Sequence, residues 1–284
     1  MGGAVLADVG HAGLSGTPAR RAALETLRAL RGGDLLDRAF GRASARLDRR
    51  DRAWTHELVY GTVRLRGRID WLLGRVLDRG VTSVQEEVLD VLRLGVYQLH
   101  EMGGVPAYAA VSQSVDQARE AAGAGAARLA NGVLRRVRRE GDALLAELPS
   151  FAADPVAHLS TWGAHPRWLV ERWIARFGED AARAIVEANN RRPELFIRPL
   201  GVSVADAVGR LHDAGIAAGR VPFAPDAVAV ERGASPADVL AMLPAIVQDP
   251  AAGLVTRYAD LPAGARVADL CAAPGGKSLA LADA

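Results

Sequence analysis

Apolar residues recur at helical spacing throughout the first half of the chain. Ala22, Leu24, Leu27 and Leu30 lie along a segment from Ala19 to Leu30. After Asp51 the recurring positions are Ala53, Leu58, Val59 and Val63. Val84, Val88, Leu92, Val96 and Leu99 then step by four and finally by three, which predicts an amphipathic helix. Val111, Val115 and Ala118 form a further stripe, and Leu129, Val133, Leu134 and Val137 the last. Pro106 breaks the chain between two stripes, and Asn131-Gly132 lies near the start of the last. No stretch alternates with period two for long. Residues 18–148 therefore read as an all-α domain, and the Gly/Ala-rich residues 1–17 are expected to be disordered.

The pattern changes after Leu148-Pro149. Residues 149–193 read as a linker and a helical region, with Trp168, Leu169, Trp173 and Phe177 on the inner face of a helix that follows Pro166. A second helix is predicted from Asp180 to Asn189, stopped by Pro193. Residues 194–250 read as a small α/β subdomain: strand at Leu195–Arg198, helix at Val202–Ala214, strand at Ala227–Glu231. In residues 251–284, Ala252–Tyr258 is predicted helical, Ala265–Leu270 a buried strand, and Gly275-Gly276 the opening of another helix. That order suits the first strand and helix of a Rossmann-like parallel sheet. A sheet of this kind needs more strands to cover its edges and core, so the chain is expected to be the N-terminal portion of a longer protein.

Composition narrows the function classes. The 284 residues are half hydrophobic and a quarter charged, too apolar for intrinsic disorder, and no run reaches the ~20 apolar residues of a membrane span. The start of the chain lacks a signal peptide's basic and apolar regions. One cysteine forms no internal disulfide, so a cytoplasmic protein is expected. The six histidines are scattered without ligand spacing, and no metal site is expected. Residues 1–150 carry 22 basic and 18 acidic side chains and residues 151–284 carry 13 and 15, which places any polyanion-binding surface in the first half.

The chemistry lies in Asp269-Leu270-Cys271-Ala272-Ala273-Pro274-Gly275-Gly276-Lys277-Ser278. Small residues between a strand and a helix let a ligand approach the backbone. A phosphate-binding P-loop would need glycine at position 271, and the dinucleotide fingerprint G-x-G-x-x-G is absent. The single cysteine and the single lysine of a chain with 34 arginines both fall within these positions, which sets the loop apart from an ordinary tight turn.

This string resembles the S-adenosylmethionine motif of the RNA cytosine-5 methyltransferases, and Val247–Ala251 resembles the family's segment just upstream. In the first half, Asp51-Arg52-Ala53, Glu57–Arg64, Leu94–Leu99, Ala110-Val111-Ser112 and Asn131–Arg136 resemble the helical domain of antitermination factor NusB. His165–Val170 and Asn189-Asn190 are similar to the helical linker of the bacterial 16S ribosomal RNA (cytosine-5) methyltransferases of the RsmB/Sun branch. The resemblance spans about residues 18–284. It implies a NusB-like RNA-binding domain, a small α/β subdomain, the start of a Rossmann-like domain, S-adenosylmethionine as cofactor, and a monomer acting on 16S ribosomal RNA. Cys271, Ala272, Ala273, Pro274, Gly275, Gly276 and Lys277 would line the cofactor. The family's attacking and releasing cysteines lie further along, so no catalytic residue is assigned here; they are expected beyond Ala284, and the chain alone is expected to be inactive.

Three rival readings bear on these residues. As a lone cysteine, Cys271 could be a nucleophile, but its place in the cofactor loop argues against that. Arg49, Arg50 and Arg52, and Arg135, Arg136, Arg138 and Arg139, are candidates for phosphate binding, although an arginine-rich solvated face would look the same. Trp162, Trp168 and Trp173 could stack on bases, but their helical setting favours the core. The principal alternative for the whole chain is a NusB-like RNA-binding protein without enzymatic activity.

Overall fold

The computed structural model describes residues 16–231, 234–262 and 264–283, in two compact units that meet in sequence at Arg191 and Arg192. The disorder expected for residues 1–17 concerns positions that, up to 15, lie outside the described residues; the first helix already includes Gly16 and Thr17.

The first unit is helical: α1 (Gly16–Arg31), α2 (Leu36–Ala43), α3 (Arg49–Arg64), α4 (Arg66–Val76), α5 (Glu86–His100) and α6 (Ala107–Leu145), followed by α7 (Pro155–Thr161), α8 (Arg167–Phe177) and α9 (Glu179–Asn190). Helix α3 starts where the Asp48 carboxylate accepts the Asp51 N–H at 2.7 Å. Helix α5 is buried on all sides from Val88 to Gln98, as befits the central helix of a bundle. It packs against α1, α3, α4 and α6, and Leu58, Leu72, Leu73, Leu92 and Leu134 fill the space between them. The backbone of α6 breaks at Ala122 and Gly123, the latter at φ 78°, which a glycine adopts without strain. Its two halves correspond to the two apolar stripes of the sequence.

Several polar groups inside this bundle are paired across helices. Arg20 donates to Gln98 at 2.8 Å, and Gln117 donates to the Arg20 carbonyl at 3.0 Å. Buried Arg93 on α5 grips Asp70 on α4 with two bonds of 2.7 and 2.9 Å and reaches Asp90 at 3.1 Å. Burial pushes the Asp90 carboxyl above its usual range, against the pull of Arg31 and Arg93.

Helices α7–α9 close a smaller core of Leu159, Val170, Ala182 and Val186, flanked by Trp173 and Ile174. Of the residues expected on the inner face of α8, Trp173 packs against this core, but Trp168 and Phe177 do not. Trp168 is 62% exposed and Phe177 50%, and Trp162 has one ring face covered by the Arg68 guanidinium at 3.8 Å. Val170 and Ile174 set the phase of the helix, and Trp168 lies about 200° around the axis from Val170.

The segment 149–155 is held by local bonds: the Pro149 carbonyl bonds His158 Nδ1 at 2.9 Å, and the Asp154 carboxylate accepts the Ala157 N–H at 2.9 Å. Residues 191–194 are exposed. Limited proteolysis is therefore expected to cut first near 191–194 and only later near 149–155, read by mass spectrometry of the early fragments. A first cut within 86–100 would contradict this packing.

The second unit contains β1 (Leu195–Pro199), α10 (Val204–Asp213), β2 (Ala218–Val221), β3 (Ala224–Val230), α11 (Pro236–Met242), β4 (Ala245–Val247), α12 (Pro250–Tyr258) and α13 (Gly276–Ala282). The sheet runs β2-β3-β1-β4 with every pairing antiparallel, the β-α-β-β-α-β arrangement called ferredoxin-like. Ile197 pairs with Val228 on one side and Val247 on the other, and Leu211, Val239 and Leu243 pack over this face. The capping box Ser235/Asp238 starts α11.

Residues 265–270 do not form the predicted buried strand. They are exposed, Leu270 to 93%, and no strand among the described residues lies beside them to take their backbone hydrogen bonds. Cys271 is accordingly exposed rather than the end of a buried strand.

Candidate functional site

The loop from Asp269 to Ser278 is organised by its first residue. One oxygen of Asp269 accepts the Cys271 N–H at 3.0 Å and the other accepts the Ser278 hydroxyl at 2.6 Å, so one carboxylate joins both ends of the turn. The Ser278 hydroxyl, then the Cys271 N–H, with the charge of Lys277 nearby, hold this carboxyl below its usual range. The Gly275 N–H bonds the Ala272 carbonyl, and the Ala273–Pro274 peptide is cis. Gly275 adopts φ 98°, which a glycine takes without strain, at the N-terminal cap of α13. A Cβ built on Gly275 would meet nothing within 4 Å. Cys271, Ala272, Ala273 and Pro274 are small and exposed, and Lys277 is exposed beside them. A ligand can thus approach the backbone of the whole turn.

Residues that the sequence reading missed hold α13 against the sheet. Gln248, nearly buried, donates its amide to the Gly276 carbonyl at 3.0 Å. Arg198, buried at the end of β1, pairs with Asp226 and donates to the Ala280 carbonyl at 3.3 Å. Asp283 accepts the Gly201 N–H at 2.9 Å. The available signals were an arginine directly after the apolar run Leu195-Phe196-Ile197, and the glutamine of the segment upstream of the loop.

The arginine candidates differ in what holds them and in how exposed they are. Arg136 is held by Glu140 at 2.8 Å and by the Val76 carbonyl at 3.2 Å, and Arg139 shares Glu140 at 2.7 Å. Arg135 and Arg138 are exposed, with no ion pair among the described residues. At the start of α3, Arg49 and Arg50 are exposed, and Arg52 lies 5.8 Å from the centre of the Phe40 ring. Arg136 is thus tied to the bundle and Arg139 to Glu140, whereas Arg135 and Arg138 face solvent. Among the described residues no cluster of His, Cys, Asp or Glu could hold a metal ion, and no helix is long and apolar enough to cross a membrane.

Comparison with known proteins matches residues 17–139 to the NusB family and residues 165–237 to the ferredoxin-like domain of the RsmF/B-like methyltransferases. This chain joins a NusB domain to an RsmF/B-type ferredoxin-like domain. Its relatives include the ribosomal RNA small subunit methyltransferases B of Klebsiella pneumoniae and Pseudomonas putida, both 35% identical. The alignments cover 81% and 84% of this chain and 52% and 54% of those proteins. A Mycobacterium tuberculosis protein with a provisional methyltransferase name is 36% identical over 93% of this chain and 60% of its own length. The chain thus spans between about half and three-fifths of the relatives it matches. The solved structure of PH0851 has the same fold over 94% of this chain and 60% of its own, with a TM-score of 0.66 at 19% identity. The NusB domain carries all the arginine candidates, and the ferredoxin-like domain carries Arg198 and Asp226.

Proposed function

We propose that this chain is the RNA-binding and cofactor-holding part of a methyltransferase that transfers a methyl group from S-adenosylmethionine to carbon 5 of a cytosine in 16S ribosomal RNA. The observation that carries the reading is the order of parts in one chain: a NusB domain, then an RsmF/B-type ferredoxin-like domain, then the Asp269–Ser278 loop. The relatives that share most of this length are named as small-subunit ribosomal RNA methyltransferases.

The open, small-residue turn fits the cofactor. Cys271 to Lys277 would hold it, with Asp269 fixing the turn and Gln248 and Arg198 fixing α13. When bound, S-adenosylmethionine supplies an electrophilic methyl group. The arginines of the NusB domain would hold RNA phosphates. Carbon 5 of cytosine needs activation by a nucleophile added elsewhere on the ring. Cys271 stands in the cofactor loop, so in this reading it lines the cofactor and the attacking thiol is supplied downstream, as the family resemblance implies.

The test is transfer of labelled methyl from S-adenosylmethionine to unmodified small-subunit RNA. The assay uses this chain alone and joined to the segment by which its relatives are longer. Transfer is expected with the joined chain and not with this chain alone. Tight RNA binding without transfer by either would favour the non-enzymatic alternative. Turnover by this chain alone, abolished by Cys271→Ser, would make Cys271 the nucleophile and overturn the assignment.

A further inference from the structure

The two halves of α6 line a groove of about 700 Å³ that takes no part in holding the cofactor. Its polar lining is Tyr108 and Ser112 from the first half and Asn131, Arg135, Arg138 and Arg139 from the second. The volume falls within the roughly 300–1,000 Å³ of ordinary ligand pockets.

Two features of this groove have no structural purpose in the bundle. Tyr108 is 75% exposed, and among the described residues no ring or cation stacks on it. Arg135 and Arg138 are exposed without an ion pair among the described residues, although Arg136 and Arg139 beside them both engage Glu140. No carboxylate lines the groove, so its charge is positive throughout and complements a polyanion.

We propose that this groove binds a single-stranded segment of RNA, one base stacking on Tyr108 while the flanking phosphates meet Arg135 and Arg138. Paired RNA keeps its bases stacked inside a helix whose narrow major groove admits no side chain, whereas an unpaired base offers a free face to an aromatic ring. Guanidinium groups then fix the phosphates, and the Asn131 amide and Ser112 hydroxyl supply both donors and acceptors for a base edge. The proposal rests on the RNA-directed reading above and names the part of the RNA and the residues that take it.

The experiment measures binding of a fluorescent ten-nucleotide single-stranded RNA of mixed sequence to the full chain, by anisotropy across a salt series. An RNA duplex and an acidic peptide serve as competitors. Tyr108→Ala is expected to weaken binding between about fivefold and 150-fold, the range that base–aromatic stacking contributes, with the salt dependence unchanged. Tyr108→Phe keeps the ring and is expected to bind like the parent. Replacing Arg135 and Arg138 together by glutamine is expected to lower the salt slope by about 1.4, at ~0.7 per single-strand phosphate contact. All these side chains are exposed, so melting temperatures should match the parent.

Equal affinity of Tyr108→Ala and parent would overturn the proposal. So would duplex competing as well as single strand, or the acidic peptide displacing the RNA at equal concentration, which would point to a protein partner. The assay needs neither cofactor nor turnover. Failure of methyl transfer with Tyr108-dependent binding intact would count against the proposed function alone, and methyl transfer with Tyr108-independent binding against the groove alone.

Discussion

Replacing Arg93 by methionine is expected to destabilise the NusB domain by about 3–5 kcal/mol, the usual cost of stripping one partner from a buried ion cluster. Arg93 is 5% exposed and is the only link between Asp70 on α4 and Asp90 on α5 among the described contacts. Methionine replaces much of the stem's packing but leaves the Asp90 carboxylate buried with Arg31 alone at 3.4 Å. The sign of the pH dependence follows from Asp90. Burial already raises its folded-state carboxyl above the ordinary value, and removing Arg93 raises it further. The folded variant then binds a proton at a pH where the unfolded chain does not, so its stability rises as pH falls through the raised folded value. The gain is complete near the unfolded value of about 3.9. Thermal melts at several pH values check this. A loss below 1 kcal/mol at neutral pH, or a deficit that widens on mild acidification, would show that Arg93 is not the clamp described. Lysine at the same place supplies charge without the two-pronged geometry and should recover only part of the loss.

Substituting Gly61 by alanine is expected to destabilise the same bundle by about 3 kcal/mol, although alanine is the better helix former. A Cβ at Gly61 on α3 would overlap the hydroxyl and Cζ of Tyr97 on α5. Tyr97 has no easy retreat: it is 4% exposed and donates to Glu57 at 2.9 Å. Gly74 on α4 provides the contrast, because a Cβ there meets nothing within 4 Å. Gly74→Ala should stabilise by about 0.5–1 kcal/mol. Denaturant unfolding of the two variants side by side decides the matter, and the same sign for both would refute the close approach of α3 and α5.

The helical half was legible because its signal repeats. Val88, Leu92 and Val96 recur once per turn, and the helix that carries them runs over almost the predicted residues. Short strands carry no such repetition. β2 is Ala-Gly-Arg-Val and β4 is Ala-Ile-Val, neither long enough to show alternation, and both exist because β3 and β1 supply their hydrogen bonds. The opposite error at Ala265–Leu270 has the same cause. Its residues suit a strand, but a strand is stabilised by its neighbours, and none is present among the described residues. At α8 the expectation held for Trp173, which packs on the small core, but Trp168 and Phe177 are exposed because Val170 and Ile174 set the buried face.

The candidate turn was legible because the residues that close it are contiguous. The turn from Asp269 to Ser278 is closed by residues within one short string, so sequence alone locates it. The docking of α13 by Arg198 and Gln248, and the meeting of Tyr108 with Arg135 across the break in α6, depend on tertiary placement that no local pattern encodes.

The proposed reaction is substitution at carbon 5 of a cytosine, and release of hydrogen from that carbon tests it most directly. Small-subunit RNA carrying tritium at carbon 5 of its cytosines is incubated with S-adenosylmethionine labelled in the methyl group with carbon-14. The protein is this chain joined to the segment its longer relatives carry. Replacing the C5–H bond by C–CH₃ must send one hydrogen to water for each methyl gained. Tritium is expected in water in step with carbon-14 in RNA, at one site per molecule. Carbon-14 incorporated without tritium release would place the methyl elsewhere on the RNA and contradict the account.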